Sequence, residues 1–382
     1  MIPWLLSVLR NAARPEDLIL RMAGAAMLSF LVVLLLGPKV IRFLIRRKFG
    51  DRPELDRADL NDLCRHKSNT PTMGGILIVL AIFASVVLFA DVRNMYIKAS
   101  LFVLVWLGCL GAWDDWLKLK RIPGSTSRDG LVMWQKIIFQ IGMVVLVAIF
   151  IYSYGRASAV SDPATGKPVN PAHSLNLPFV SDPVPVGMLA YVIIAVLTIV
   201  GSSNAVNITD GMDGLASGCM IIATLVFLIL AEIVGVEKWA YFFNLLPVAG
   251  AHEMTVLCAA MIGACLGFLW YNSHPAQVFM GDTGSLPLGG LLGFTALVVR
   301  HEVLLIIAGG VFVMEAASVL IQVGYFKYTK RRNGGQGRRV FRAAPVHYHF
   351  HLGGWAESKV VIRFWILGII FAVLALATLK LR

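Results

Sequence analysis

The chain has 382 residues, is 58% hydrophobic and only 15% charged, and carries a formal net charge of +12. Soluble domains are nearer half apolar with about a quarter charged, so this composition excludes an ordinary soluble enzyme and points to a single integral membrane domain over 1–382. The basic balance does not indicate nucleic acid, because basic patches interleaved with stacking aromatics in a polar fold are missing; anionic lipid and a polyanionic substrate account for it instead.

The chain opens on MIPWLLSVLR, which lacks a cleavage pattern. Residues 1–19 therefore read as an interfacial segment anchored by Trp4. A membrane helix needs about 20 apolar residues. Spans are expected at 20–44, 72–90, 99–117, 135–154, 187–206, 214–234, 254–271, 285–300, 302–326 and 360–380. The fold class is all-α, a polytopic integral membrane protein of about ten transmembrane helices. Lys and Arg crowd the loops after spans one, three and nine, including Arg46, Arg47, Lys118, Arg128, Lys330 and Arg331. Positive charge marks the cytoplasmic side, so both termini are expected on the external side. Residues 155–186, rich in Pro, Ser, Asp and Asn, read as an external loop with a short hairpin. Residues 327–358 read as a cytoplasmic loop, in which NGGQGRR is a flexible insertion. The five cysteines form no C-x-x-C pair and read as reduced structural thiols.

Every dense polar motif falls on the cytoplasmic side of this topology. RHKSNTPTMGG opens span two, and Asp114-Asp115 closes span three. Adjacent aspartates on a helix point about 100° apart, so they serve different roles. Two like charges need a compensating cation, and Mg²⁺ with phosphate oxygens would supply it. The plain alternative is a solvated helix end paired to Lys118 and Lys120.

NAVNITDGMDGLA joins spans five and six. Asp210 and Asp213 would share a face if that turn is helical. Asn204 and Asn207 have the same spacing and could hold a nucleobase or a water shell. The alternative is a helix start with Asp210 as N-cap, which leaves the other polar residues unexplained. NSHPAQVFMGDTGS follows span seven. Its Asp282, flanked by glycines, resembles a metal-ligand loop, and Phe279 could stack on a base. The first amides of span eight, beginning near Ser285, could receive phosphate. PVHYHFH follows span nine; its alternating His347, His349 and His351 suit an extended loop with all three imidazoles on one side. Zinc is the competing reading, but the acids favour a hard cation.

Together RHKSNTPTMGG, GAWDDWLKLK, NAVNITDGMDGLA, NSHPAQVFMGDTGSLPLGG and FRAAPVHYHFHLGGW resemble the phospho-N-acetylmuramoyl-pentapeptide transferases, within the polyprenyl-phosphate N-acetylhexosamine-1-phosphate transferase superfamily. The resemblance runs from about residue 20 to the C-terminus. It implies that undecaprenyl phosphate attacks UDP-MurNAc-pentapeptide, giving lipid I and UMP with Mg²⁺, at the cytoplasmic face of the bacterial inner membrane. By motif, Asp114 matches the aspartate that handles the lipid phosphate, Asp115 its partner, and Asp282 the metal-binding aspartate. Asn207, Asp210, Asn272 and Phe279 match the uridine and diphosphate site, with Asn204 and Asp213 beside them. Lys67, Asn69, Thr72 and Lys136 match the polar cleft; Gln322, His347 and His349 lie near the sugar-nucleotide. The family usually has three consecutive histidines, and here Tyr348 replaces the middle one. A homodimer is expected from the family alone. Two other readings remain at this point: a GlcNAc-1-phosphate transferase acting on a polyprenyl phosphate, and an ion-coupled transporter, which predicts mid-membrane acids and an internal repeat.

Overall fold

A computed structural model describes residues 15–47, 70–119, 130–155, 160–161, 168–178, 180 and 183–380. Backbone polar groups cannot be left unpaired in hydrocarbon, so apolar runs of this length fold as helices. They do so at all ten expected places. In chain order these are α1 (Pro15–Arg46), α2 (Gly75–Phe89), α3 (Met95–Leu119), α4 (Met133–Tyr154), α5 (Met188–Thr209) and α6 (Leu215–Gly235). After a short α7 (Glu237–Phe242) come α8 (Met254–Asn272), α9 (Asp282–Val298), the short α10 (Leu304–Ala308), α11 (Gly310–Arg332), the short α12 (Val346–His351) and α13 (Glu357–Ala377). Among the described residues, eight helices are long and apolar enough to cross a membrane. The chain is a multi-pass membrane protein; α2 and α9 are the shorter members.

The boundaries shift by a few residues from expectation, most at two places. The ninth apolar run is divided at Gly309 into α10 and α11, and α11 then continues to Arg332, a polar extension that a helix projecting into water tolerates. Residues 15–19 belong to α1, while 1–14 lie outside the described residues. Between α4 and α5, two small antiparallel hairpins form: β1 (Val160–Ser161) with β2 (Pro168–Val169), and β3 (Ser174–Leu175) with β4 (Val184–Pro185). The Asn333–Arg339 stretch folds back, with Arg338 N–H donating to Thr329 Oγ1 at 2.8 Å.

Helix α9 is the centre of the bundle, and every one of its 17 residues is buried. It packs on α3 and α5, while α8 packs on α1 and α6. Small residues allow these close crossings, as membrane helices without a hydrophobic drive between them require. A Cβ at Gly75 would meet Gly284 N at 2.2 Å, and one at Gly111 would meet Asp282 O at 2.2 Å. Outer helices instead expose large apolar side chains such as Leu189, Leu197, Leu320 and Trp270, as a lipid solvent permits.

Candidate active site

The polar motifs converge at one end of this bundle. Asp114 and Asp115 close α3 and are both buried, at 0% and 3% exposure. Their side chains part as the helical geometry requires. Asp115 faces the first turn of α9: its carboxylate accepts Asp282 N–H at 3.1 Å, Thr283 N–H at 2.9 Å and Thr283 Oγ1–H at 2.7 Å. A carboxylate at a helix N-terminus pairs orphan amides and is favoured by the helix dipole. The expectation that α9's amides receive phosphate is therefore corrected. The helix starts three residues earlier than predicted, and Asp115 occupies its first two amides.

Asp114 turns the other way. Its Oδ1 accepts Leu131 N–H at 2.7 Å, and its Oδ2 faces the ammoniums of Lys118, at 2.8 Å, and Lys136. Lys118 also lies 3.6 Å from Asp115 Oδ1 and 3.3 Å from Asp282 Oδ1. Lys136, from α4, reaches Asp282 Oδ2 at 2.6 Å. Asp282 Oδ1 additionally accepts from Asn207 Nδ2 at 2.8 Å, which also donates to Ser285 Oγ. Among the described residues, three carboxylates thus meet two ammoniums, leaving negative charge in excess. Oxygen atoms of Asp114, Asp115 and Asp282 lie within 4.8 Å of one another. An all-oxygen, anionic donor set of this kind suits a hard divalent cation rather than zinc.

A cavity of ≈ 230 Å³ opens beside this cluster. Thr72, Asp115, Lys118, Asn207, Asp210, Gly211, Asp213, Asn272, Phe279, Asp282 and Tyr348 are among its lining residues. Its far wall is built by the segment before α9. Phe279 N–H donates to Pro71 O and Gly74 N–H to Phe279 O, both at 2.8 Å, tying that segment to the approach to α2. Asn272 accepts Gly214 N–H at 3.0 Å and donates to Val278 O at 2.9 Å, bridging two loops.

The Asp210–Asp213 segment is a turn, not a helix. Asp210 ends α5 as its C-cap with ψ of 51°, and Gly214, at φ 80°, is the residue that precedes α6. Asp210 is thus not the N-cap of α6. The half-buried Asp210 has its carboxyl pushed up to about 7, first by burial and then by the carboxylates of Asp282 and Asp115. Asp213 Oδ2 accepts Ala276 N–H at 3.0 Å and lies 3.2 Å from His274 Nδ1, while Asp213 N–H donates to Glu357 Oε1 at 2.9 Å. Through its carboxylate and its backbone N–H, Asp213 ties three segments together.

Other predicted positions lie apart from the cavity. Asn204 Nδ2 donates to Gln140 Oε1 at 2.7 Å and to Val200 O. Gln322 Oε1 accepts the backbone N–H groups of Val340 and Phe341. PVHYHFH is not extended: Val346–His351 forms a helical turn after Pro345. Positions i, i+2 and i+4 then point two ways, with His349 opposite the others. His347 is fully buried behind Gly211, His349 Nδ1 accepts Arg342 N–H at 3.1 Å, and Tyr348 Oη–H donates to Gly211 O at 3.0 Å. Lys67, Asn69 and Arg128 lie outside the described residues. Two side chains that sequence reasoning did not assign to the site are central to it. Lys118 was signalled by its i+4 and i+3 spacing from the two aspartates. Thr283 had no such signal, because its partner is distant in sequence.

Comparison with known proteins adds an independent line. A glycosyl transferase family 4 model matches residues 96–300, and a phospho-N-acetylmuramoyl-pentapeptide-transferase signature matches residues 67–79. Among similar proteins named phospho-N-acetylmuramoyl-pentapeptide-transferase, one from Desulfotalea psychrophila is 44% identical over 365 residues, covering 95% of this chain and 94% of that protein. One from Rickettsia akari is 41% identical, covering 94% and 92%, and one from Gemmatimonas aurantiaca is 42% identical, covering 95% and 94%.

Proposed function

Because this chain belongs to the phospho-N-acetylmuramoyl-pentapeptide-transferase family, and is an enzyme of that family, we propose that it moves phospho-MurNAc-pentapeptide from UDP-MurNAc-pentapeptide to undecaprenyl phosphate, giving lipid I and UMP. The observation that carries this reading is the meeting of Asp114, Asp115 and Asp282 with Lys118 and Lys136 beside a polar cavity. Both reactants are anionic phosphates, so the main tasks are charge neutralisation and alignment.

In this reading Lys118 and Lys136 move from the carboxylates toward the phosphates as substrate enters. Asp282 and Asp114 would hold Mg²⁺, which neutralises phosphate charge as UMP leaves. Asp115 and Asn207 keep Asp282 in place through the contacts described above. A phosphate monoester is already a nucleophile near neutral pH, so direct attack needs no covalent aspartyl intermediate. Phe279, Asp210, Asn272 and Thr72 border the space for uridine and diphosphate. The carrier's tail needs an apolar groove, and one of ≈ 440 Å³ runs between α5 and α11, lined by Leu197, Gly201, Ala205, Leu292, Phe312 and Leu320. Ala205 lies only two residues before Asn207 on α5, so the groove reaches about the same level along that helix as the polar cavity. The abundance of Lys and Arg in the loops at this end supports a cytoplasmic active site in the bacterial inner membrane.

The test is purified protein with undecaprenyl phosphate and a panel of UDP-sugars, with and without Mg²⁺. UMP release specific to the MurNAc-pentapeptide donor and dependent on the metal is expected. Preference for UDP-GlcNAc would move the reading to the sister activity, and no UMP from any donor would defeat it.

A further inference from the structure

Behind the cavity wall, Glu315 of α11 and His347 of α12 form a fully enclosed pair, both at 0% exposure, with His347 Nδ1 3.1 Å from Glu315 Oε2. Among the described residues, neither Glu315 Oε1 nor His347 Nε2 has a hydrogen-bond partner. An unpaired polar atom with no access to water is costly, so a native protein that keeps one uses it. The free imidazole atom is aimed at the site. A Cβ on Gly211, which lines the cavity, would sit 2.5 Å from His347 Nε2. Only glycine at 211 lets the cavity lining come this close to the imidazole.

We propose that Glu315 is a positioning residue that fixes the tautomer and direction of His347, so that Nε2 accepts a hydrogen bond from a hydroxyl or N–H of the nucleotide donor past Gly211. A carboxylate accepts and does not donate, so it selects the ring with its proton on Nδ1. That leaves the Nε2 lone pair for the ligand, and only for a group that carries a hydrogen. The logic is that of a carboxylate holding a working imidazole elsewhere in enzymes. Glu315 reaches the substrate only through His347, and α11, which packs against α5, carries it into place. This inference rests on the donor reading above for the identity of the ligand, and on the buried pair alone for the tautomer.

The experiment uses the full chain in detergent or nanodiscs and three variants: Glu315→Gln, His347→Asn and the double variant. Glu315→Gln should raise the KM for UDP-MurNAc-pentapeptide by roughly 10- to 100-fold, the usual loss when the partner orienting a functional histidine is removed. The kcat should change less, and the KM for undecaprenyl phosphate should hold. In the His347→Asn background the same substitution should cost nothing more. Equal losses in both backgrounds would mean a structural carboxylate and would overturn the proposal. Glu315→Asp, which keeps the charge, should recover part of the affinity and replaces the glutamine variant in the cycle if that one fails to fold. Nitrogen-15 histidine spectra, with His347 assigned by its absence in His347→Asn, should report a ring protonated at Nδ1 that loses this single form in the Glu315 variant. An unchanged His347 signal there would refute the dyad, whatever donor is turned over. No UMP from any donor would instead refute the reaction, while the spectra still decide the dyad.

Discussion

At the end of the bundle away from the cavity, Arg21 of α1 grips Glu253 with two hydrogen bonds, at 2.7 and 3.1 Å, and Asp91 N–H adds a third at 2.8 Å. At the cavity end, three carboxylates share two ammoniums. Both regions bury charge near a helix terminus. In the first, one cation meets one anion with bidentate geometry, and the pair closes on itself. In the second, the charges do not cancel, the lysines are divided between acids, and the cluster borders open space. Buried charge that is fully matched joins helices; buried charge left in surplus is available to a ligand. The carboxylates are similarly buried in both regions, so the difference lies in the count and sharing of their partners.

Substitutions should separate these two uses. The largest effect on stability is expected from Arg21→Ala, which strands Glu253 and should cost about 3–5 kcal/mol in unfolding measurements. UMP release per folded molecule should not change. The mirror result is expected for Asp282→Ala and Asp114→Ala. Each should reduce UMP release by at least ~10²–10³-fold, while the unfolding midpoint moves less than in Arg21→Ala. Near-normal turnover in either would remove that aspartate from the reaction. Lys118→Met comes next, with a loss of roughly 10- to 100-fold in kcat/KM, the worth of one charged hydrogen bond.

The smallest effect is a pH dependence. Asp210 holds its proton up to about 7 in the folded chain, against an ordinary value of 3.8. Between these values the folded state binds the extra proton, so stability falls as pH rises through that window and levels off above it. Without ligand, the unfolding midpoint should decline from pH 5 to 8, and Asp210→Asn should flatten the decline. An identical slope in the variant would assign the titration to another group.

Much of this was legible in the sequence, for physical reasons that differ by residue. All ten apolar runs became helical, the ninth as two pieces, because lipid leaves the backbone no other economical form. Asp114 and Asp115 had to diverge because successive helical residues point about 100° apart. Lys118 was readable from the same geometry. The histidine motif misled: VHYHFH alternates like a strand, but Pro345 starts a helical turn and Gly353 soon follows its end. Asn204, read from its spacing, and Gln322, carried over by motif, are hydrogen-bonded to Gln140 and to the backbone at 340–341. Such partners are 18 to 64 residues away in sequence, so no local pattern announces them. The capping of α9 by Asp115 spans 167 residues and is equally invisible.

Helix α9 also separates the chemistry from the thickness of the membrane. At 17 residues it is ~26 Å long, shorter than a typical hydrocarbon layer of ~30 Å, and its burial on all sides keeps it out of contact with lipid. A thicker or thinner bilayer would be met by tilting of the outer helices, which expose their apolar side chains. Asp282, seated at the head of α9 and clamped from α3, would keep its height within the protein. If the proposed reaction runs at Asp282, its plane would be set by this internal ruler, and turnover should be similar in short-chain and long-chain lipids.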